Sequence, residues 1–273
     1  MTAKLAGKNR VNEFRQIAER LVSRISSFED VVSIVFMGGL ARGFMDKYSD
    51  IDIMVFLNNE DRVLARRIKK IGSDMQRLAG VDVDLEVHPL GWLKRRWNEV
   101  DRWSFAKSEI VYDPKGETRE LFEDKLKLSD EFWVRRIVVC CEYLKWYSCP
   151  PKENMGTMAE AWIERDDLVS AHYCLTYSID VMLRILFALS KEFVPPQKWT
   201  VFYSYGLKWL PKLYKELLLE AMTIKEMSES DLERRLRAIR KMWHGIVPKV
   251  KDATGLTLDM TSKYYVEEVL HQK

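Results

Sequence analysis

The alternation of apolar and polar positions in the first 115 residues predicts a small β-sheet flanked by helices. Short apolar or strictly alternating runs predict strands, and they end in turn residues such as Gly38-Gly39 and Asn58-Asn59. Stretches with apolar residues three and four positions apart predict amphipathic helices. The predicted strands are residues 31–37, 50–57, 81–87 and 110–112, and the predicted helices are residues 10–27 and 60–79.

The remainder of the chain changes to long helical patterns. In residues 167–190 apolar side chains recur every three or four positions, and residues 206–222 and 230–244 have a similar periodicity. The sequence therefore predicts an α+β protein. A small mixed β-sheet domain flanked by helices takes up residues 1–118, and an all-helical C-terminal domain takes up residues 119–273.

Composition narrows the class of protein. The chain has 273 residues, enough for one large domain or two modest ones, and its net charge of +3 does not indicate a polynucleotide partner. No stretch approaches the roughly 18 uninterrupted apolar residues of a membrane span, and the N-terminal segment lacks the apolar run of a secretion signal. We therefore expect a cytoplasmic protein that does not bind membranes. The oligomeric state stays open, a homodimer included.

Acidic residues recur on one face of two predicted strands. Residues two apart in a strand face the same side, so Asp50 and Asp52 point together, as do Asp82, Asp84 and Glu86. Converging carboxylates repel one another unless cations hold them, and Mg²⁺ prefers oxygen ligands while keeping positions for phosphates. The alternative is the solvated face of an amphipathic sheet. That alternative is at least as good for Asp82, and it is weaker for Asp50 and Asp52, whose strand is otherwise apolar.

A glycine pair directly follows the first buried strand. Gly38 and Gly39 would let the backbone approach a ligand closely, and Gly43 follows four residues later. A glycine pair by itself usually indicates only a tight turn. No GK[ST] follows it and no GxGxxG is present, which excludes a Walker loop and a dinucleotide-binding fingerprint.

The glycine turn and the acidic pair together resemble a known pattern. The run Phe36-Met37-Gly38-Gly39-Leu40-Ala41-Arg42-Gly43, followed by Tyr48-Ser49-Asp50-Ile51-Asp52-Ile53, resembles the signature of the DNA polymerase β-like nucleotidyltransferase superfamily. The Ala-Arg-Gly and Ser-Asp additions are similar to the subgroup that includes aminoglycoside and lincosamide nucleotidyltransferases. The resemblance covers residues 34–57 directly, with support to about residue 89.

The resemblance implies a nucleotidyltransferase domain in residues 1–118 and a role for each matching residue. Asp50 and Asp52 would bind two Mg²⁺ ions, and Gly38 and Gly39 would hold the triphosphate through the backbone. Arg42 would neutralise the triphosphate. Ser49 would contact a phosphate, although a serine before an aspartate is also an ordinary turn residue.

The family also places a third carboxylate on a neighbouring strand. Asp84 fits best, because Asp84-Leu85-Glu86-Val87-His88-Pro89 resembles the corresponding strand in register. Glu86 competes for the role from the same face. In this class the third carboxylate serves as a metal ligand and as general base for the acceptor hydroxyl.

The helical part offers one further candidate. Asp166 and Asp167 precede the longest predicted helix, where one caps the helix or, alternatively, lies in the acceptor site. The resemblance implies transfer of a nucleoside monophosphate from a nucleoside triphosphate, with ATP favoured, to a hydroxyl of a small molecule with release of pyrophosphate. The alternatives are adenylylation of a protein hydroxyl and a nucleotide-binding regulatory module without turnover.

Overall fold

The computed structural model describes residues 5–152 and 154–270. These residues form two compact units that divide after Lys127. The predicted division after residue 118 falls inside the helix Glu117–Leu126, which packs in the first unit.

The first unit is a four-stranded mixed sheet with helices. The strand order is β3-β2-β1-β4, with β1 antiparallel to both β2 and β4 and with β2 parallel to β3. A 3-10 turn at Leu90–Lys94 follows β3. The strands and helices are, in chain order, α1 Val11–Ile25, β1 Val31–Phe36, α2 Gly38–Arg42, β2 Ile51–Leu57, α3 Arg62–Ala79, β3 Val83–Pro89, α4 Glu99–Ala106, β4 Glu109–Tyr112 and α5 Glu117–Leu126.

The alternation of residues along β2 produces a different environment on each face of the sheet. Ile51, Ile53 and Val55 are buried in the core that α1 and α3 form on one face. Asp52 and Met54 point to the opposite face, because successive side chains of a strand alternate. An aromatic cluster that includes residues of α4 and α5 covers only part of that second face. The carboxylate of Asp52 therefore lies on a polar part of the sheet surface.

Helix α3 shows how local sequence sets the ends of an element. The Asp61 side chain accepts hydrogen bonds from the backbone amides of Val63 and Leu64 at 2.8 and 2.9 Å. These amides have no partner within the helix, so an aspartate at this position stabilises the first turn. Gly80 ends the helix with φ +67°, a left-handed conformation that glycine adopts without the cost a Cβ atom imposes.

The second unit is helical throughout its described elements, which confirms the predicted α+β class. Helix α8 is its central core helix. By length and composition alone α8 could cross a membrane, but 67% of its most apolar stretch is buried inside the protein. The helices are α6 Asp130–Tyr147, α7 Met158–Glu164, α8 Leu168–Leu189, α9 Gln197–Ser204, α10 Tyr214–Met222, α11 Glu229–Thr254 and α12 Leu258–Tyr264, followed by a π-helical turn at Tyr265–Leu270.

Two helix predictions were wrong at their ends, both near prolines. The helix predicted for residues 206–222 begins only at Tyr214, because Pro211 cannot continue a helix and Leu213 adopts a left-handed φ of +58°. The helix predicted for residues 230–244 continues to Thr254 and contains Pro248. Burial of Ile246 and Val250 on either side of Pro248 offsets the missing backbone hydrogen bond.

A buried lysine holds the C-terminal segment to α6. Lys145, only 7% exposed, donates to Glu142 at 2.6 Å and to the hydroxyls of Thr261 and Ser262 at 2.8 Å. Its Nζ also donates to the carbonyl oxygen of Leu258. The hydrogen bonds from Lys145 to Thr261 and Ser262 span 116 and 117 positions in the sequence, so the lysine connects distant segments.

We expect Lys145→Met to lower the free energy of unfolding by on the order of 3 kcal/mol, because it leaves Glu142, only 18% exposed, without its cation. The matched control is Lys191→Met, which removes an ion pair with Asp130 in which the lysine is 59% exposed. That change should cost less than about 0.5 kcal/mol. Urea unfolding of both variants measures the difference, and equal losses would contradict the prediction.

A buried histidine contacts a buried arginine between three helices. The guanidinium of Arg235 donates to Nδ1 of His172 at 2.6 Å and to the carbonyl oxygen of Ala221 at 2.7 Å. Burial of His172, and then the charge of Arg235, lower the pKa of the imidazole below its ordinary value. Folding therefore favours the neutral form of His172.

We expect the protein to lose stability as the pH falls below about 6.5, the ordinary pKa of histidine. Below this pH the unfolded chain binds a proton at His172 that the folded chain does not, so acid favours unfolding. His172→Asn keeps an acceptor near Arg235 and removes the titration. Thermal unfolding between about pH 5 and pH 8 should therefore depend less on pH in this variant. An unchanged pH dependence would exclude His172 as its source.

Candidate active site

The acidic pair lies where β2 begins, beside the end of β1. The backbone amide of Met37 donates to the carbonyl oxygen of Asp52 at 3.0 Å, which ties the glycine turn to β2. The amide of Ile51 donates to the carbonyl oxygen of Asp82 at 2.9 Å. Asp50 lies in the exposed loop immediately before the strand, and Asp52 is half-buried within it.

Gly38 and Asp52 occupy adjoining space. Gly38 has φ +55°, and a Cβ atom built on it would lie 1.7 Å from Oδ2 of Asp52. The carboxylate thus takes the place that any other side chain at position 38 would fill. The site needs glycine here for two independent reasons, the left-handed backbone and the close approach of the carboxylate.

The glycine turn continues into a single helical turn that the rest of the unit holds in place. A Cβ atom on Gly39 would lie 2.7 Å from the carbonyl oxygen of Phe44. The amide of Phe44 in turn donates to the carbonyl oxygen of Gly39 at 3.1 Å. Asn9 donates to the carbonyl oxygen of Gly43 at 2.9 Å and accepts from the amide of Met45 at 3.1 Å. No sequence pattern indicates a role for Asn9, which is 34 residues from Gly43.

The register of the parallel strands distinguishes the two candidates for a third carboxylate. Asp84 pairs with Asp52, while Glu86 pairs with Met54 one step further along. Neighbouring strands lie about 4.8 Å apart, so Asp52 and Asp84 are adjacent on the same face. Glu86 instead bonds His88 Nε2 at 2.9 Å.

The other predicted nucleotide-binding residues lie around the turn. The guanidinium of Arg42 lies over the ring of Trp103 at 5.2 Å, an arrangement that orients its charge at the end of α2. The hydroxyl of Ser49 donates to Oδ1 of Asp46 at 3.1 Å and accepts from the Asp46 amide at 3.0 Å. Asp46 therefore organises the turn that presents Asp50. An Asp three residues before a Ser is a local turn signal, and it would have indicated Asp46.

Asp166 lies apart from these residues in the chain, in the second unit. It is exposed in the turn between α7 and α8, with φ +59°, and its amide donates to Ile163 at 2.9 Å. Asp167 caps α8 by accepting from the amide of Ser170 at 2.9 Å. Asp167 is therefore the residue that caps α8, whereas Asp166 lies in a turn with a strained backbone.

The carboxylates have the chemistry of a Mg²⁺ site without forming a closed one. In the part of the chain that the structure describes, no three acidic, histidine or cysteine side chains converge as a ready metal cage. Asp50 and Asp84 are exposed and have no hydrogen-bond or ion-pair partner among the described residues. Oxygen ligands from one side only are typical of Mg²⁺, whose remaining positions go to water and phosphates. The residues therefore fit a metal that is bound together with a nucleotide.

Comparison with known proteins agrees with this geometry. Residues 14–110 match a family model described as a nucleotidyltransferase domain. No curated protein matches the chain.

Similar solved structures share little sequence with this chain. A nucleotidyltransferase-like protein from Exiguobacterium sibiricum is 10% identical with a TM-score of 0.44, covering 88% of this chain and 78% of its own. A complex of HEPN toxin with MNT antitoxin from Shewanella oneidensis is 13% identical with a TM-score of 0.28, covering 48% and 93%. At these values they establish nothing about substrate or partner. The matching segment contains the glycine turn and every candidate carboxylate of the sheet, so residues 14–110 of this chain are similar to the nucleotidyltransferase domain family.

Proposed function

We propose that this protein transfers a nucleoside monophosphate from a nucleoside triphosphate, with ATP favoured, to a hydroxyl of a small molecule. Pyrophosphate is the second product, and the reaction depends on Mg²⁺. The observation that carries the proposal is the position of the Asp52 carboxylate against the backbone of Gly38. This contact places a metal-binding carboxylate beside a backbone segment without side chains. Such a segment can approach phosphates closely.

The chemistry is an in-line displacement at the α-phosphorus. The acceptor oxygen forms a bond to that phosphorus while the bond to the bridging oxygen of pyrophosphate breaks. Asp50, Asp52 and Asp84 would hold Mg²⁺, which would supply positive charge to stabilise the attacking and leaving oxygens. Backbone at Gly38 and Gly39 and the guanidinium of Arg42 would position the triphosphate.

The proton of the acceptor hydroxyl passes to Asp84 in this proposal. Asp84 is suited to the role because it lies beside Asp52 in register and has no other partner among the described residues. Glu86 already bonds His88 and lies one register step away. A general base within reach of the hydroxyl typically contributes a factor of about 10²–10⁴ to the rate.

We expect Asp84→Asn to lower kcat by at least about a hundredfold, since it removes both a metal ligand and the base. Glu86→Gln is the matched control, because an amide still bonds His88 and the change also removes one negative charge from the same face of β3. The kcat of Glu86→Gln should stay within a few-fold of the wild-type value. Turnover measured as pyrophosphate release decides between them, and the reverse ranking would assign the role to Glu86.

The experiment that tests the function is pyrophosphate release from each of the four nucleoside triphosphates with Mg²⁺. The acceptor panel contains aminoglycosides, lincosamides, other polyhydroxylated small molecules, tRNA and cell-extract proteins. We expect release that requires Mg²⁺ and a small-molecule acceptor. Labelling of a protein from α-labelled ATP would instead identify a protein adenylyltransferase. Metal-dependent nucleotide binding without release in any arm would support a regulatory module, and absence of nucleotide binding would overturn the proposal.

A further inference from the structure

An aromatic surface lies on α6 and α8 of the second unit and includes none of the residues assigned above. The two helices run antiparallel, because Lys191, just after α8, pairs with Asp130 at the start of α6 at 2.6 Å. The end of α6 therefore lies beside the beginning of α8. Six side chains from these two ends form what we term the aromatic patch: Tyr143, Trp146, Tyr147, Val169, Tyr173 and Tyr177.

Four rings of the patch form a continuous surface across the two helices. Tyr177 packs against Tyr147 with ring centroids 4.8 Å apart and against Tyr143 at 6.2 Å. Trp146 follows Tyr147 at 6.3 Å. On α8 the patch residues are spaced four apart, which places them in one stripe along the helix.

Much of this apolar surface is exposed. Trp146 is 64% exposed and Tyr173 is 71% exposed, and Val169 and Tyr143 add to them. Together these side chains present roughly 450 Å² to solvent. Contiguous apolar patches larger than a few hundred Å² are rare on monomeric proteins and usually indicate an interaction site.

Packing against the core and between rings holds part of the patch in place. Leu144 and Leu175, neighbours of patch residues on the same two helices, are buried in the core. The rings of Tyr143 and Tyr147 are further fixed by their contacts with Tyr177. Aromatic side chains that are already ordered lose little freedom on association, so more of the gain from burial remains as affinity.

The charge around the patch favours a partner with the same surface. The ionisable side chains that continue the α8 stripe, Asp180 and Arg184, form an ion pair with each other at 2.8 Å. The charges therefore balance at this end of the patch and do not select an acidic or a basic partner there. A twofold arrangement would cover both patches at once and bury about 900 Å² of these side chains, which with a polar rim reaches the roughly 1,000 Å² of a stable interface.

We propose that a second copy of this chain docks on the aromatic patch and that the protein is a symmetric homodimer through α6 and α8. Trp146 and Tyr173 lie at its centre, since they are the most exposed aromatic residues of the patch. The interface does not depend on the nucleotidyl transfer proposed above.

Sedimentation velocity and light scattering of the full chain over a wide concentration range test the proposal. The wild type should have the mass of two chains, and Trp146→Lys/Tyr173→Lys should weaken the dimer by at least about a hundredfold to leave mostly single chains. The matched control is Leu219→Lys on α10, because Leu219 is 70% exposed in the same unit but outside the patch. It should remain dimeric.

Two results would overturn the proposal. The first is a wild-type mass of one chain at every concentration. The second is a two-chain mass for the double variant, which would place the interface elsewhere. Far-UV circular dichroism establishes that the variants are folded, and the single variant Tyr173→Lys provides an independent weakening of the dimer if the double variant is unfolded.

Discussion

Replacing Asp52 by asparagine should reduce pyrophosphate release by at least about a thousandfold. The carboxylate is proposed to hold Mg²⁺ at the point where charge develops on the α-phosphate, and stabilisation of that charge is worth several kcal/mol, each 1.36 kcal/mol being tenfold in rate. Asparagine has nearly the same shape, so the contact with Gly38 and the fold should persist. Activity is measured with saturating nucleotide and Mg²⁺, alongside the melting temperature.

The control for this prediction is Asp82→Asn. Asp82 is an exposed carboxylate just before β3, and its side chain accepts from Gln76 at 2.9 Å. Its substitution removes the same charge near the same strands without touching the proposed metal ligands, so activity should stay within a few-fold of wild type. Equal losses of activity in both variants would mean that the total negative charge near these strands, and not the position of Asp52, controls the rate.

Gly38→Ala should remove activity almost completely while leaving the protein folded. A Cβ atom at this position overlaps Oδ2 of Asp52, so either the carboxylate or the turn must move. A displacement of about 1 Å in a reacting group commonly costs a hundredfold in rate. Turnover and Mg²⁺-dependent nucleotide binding, measured by calorimetry, should therefore fall together.

Gly80→Ala separates this effect from backbone strain. Gly80 has φ +67°, close to the value at Gly38, but a Cβ atom there meets nothing within 4 Å. Both variants should lose about 1 kcal/mol of stability from the left-handed conformation. Only Gly38→Ala should lose activity, and an active Gly38→Ala enzyme would contradict the role of the Gly38–Asp52 contact.

The sequence was sufficient to predict the sheet and the residues at its polar edge. Period-two alternation is a local signal, so β2 and the two aspartates at its start followed from it. The parallel pairing that brings Asp84 beside Asp52 could be inferred only from the resemblance. Strand order is a long-range property, and no local pattern encodes it.

Other features of the protein had no sequence signal because distant segments create them. Asn9 reaches the loop at Gly43, and Trp103 lies against Arg42, through contacts that depend on the folded unit. The continuation of α11 beyond His244 is similar, since buried neighbours override the local effect of Pro248. Tertiary packing determines the structure at these positions, and local sequence preference does not predict it.

The buried ammonium of Lys145 also has a consequence during synthesis. Its carbonyl and hydroxyl partners lie at Leu258, Thr261 and Ser262, so they leave the ribosome long after α6 has emerged. Until then Lys145 has only Glu142 of its four partners, and water must solvate the rest of the ammonium group. The sheet unit is complete in the nascent chain much earlier, and domains commonly fold in the order of their synthesis. The helical unit therefore reaches its final packing only as translation of this segment is finished.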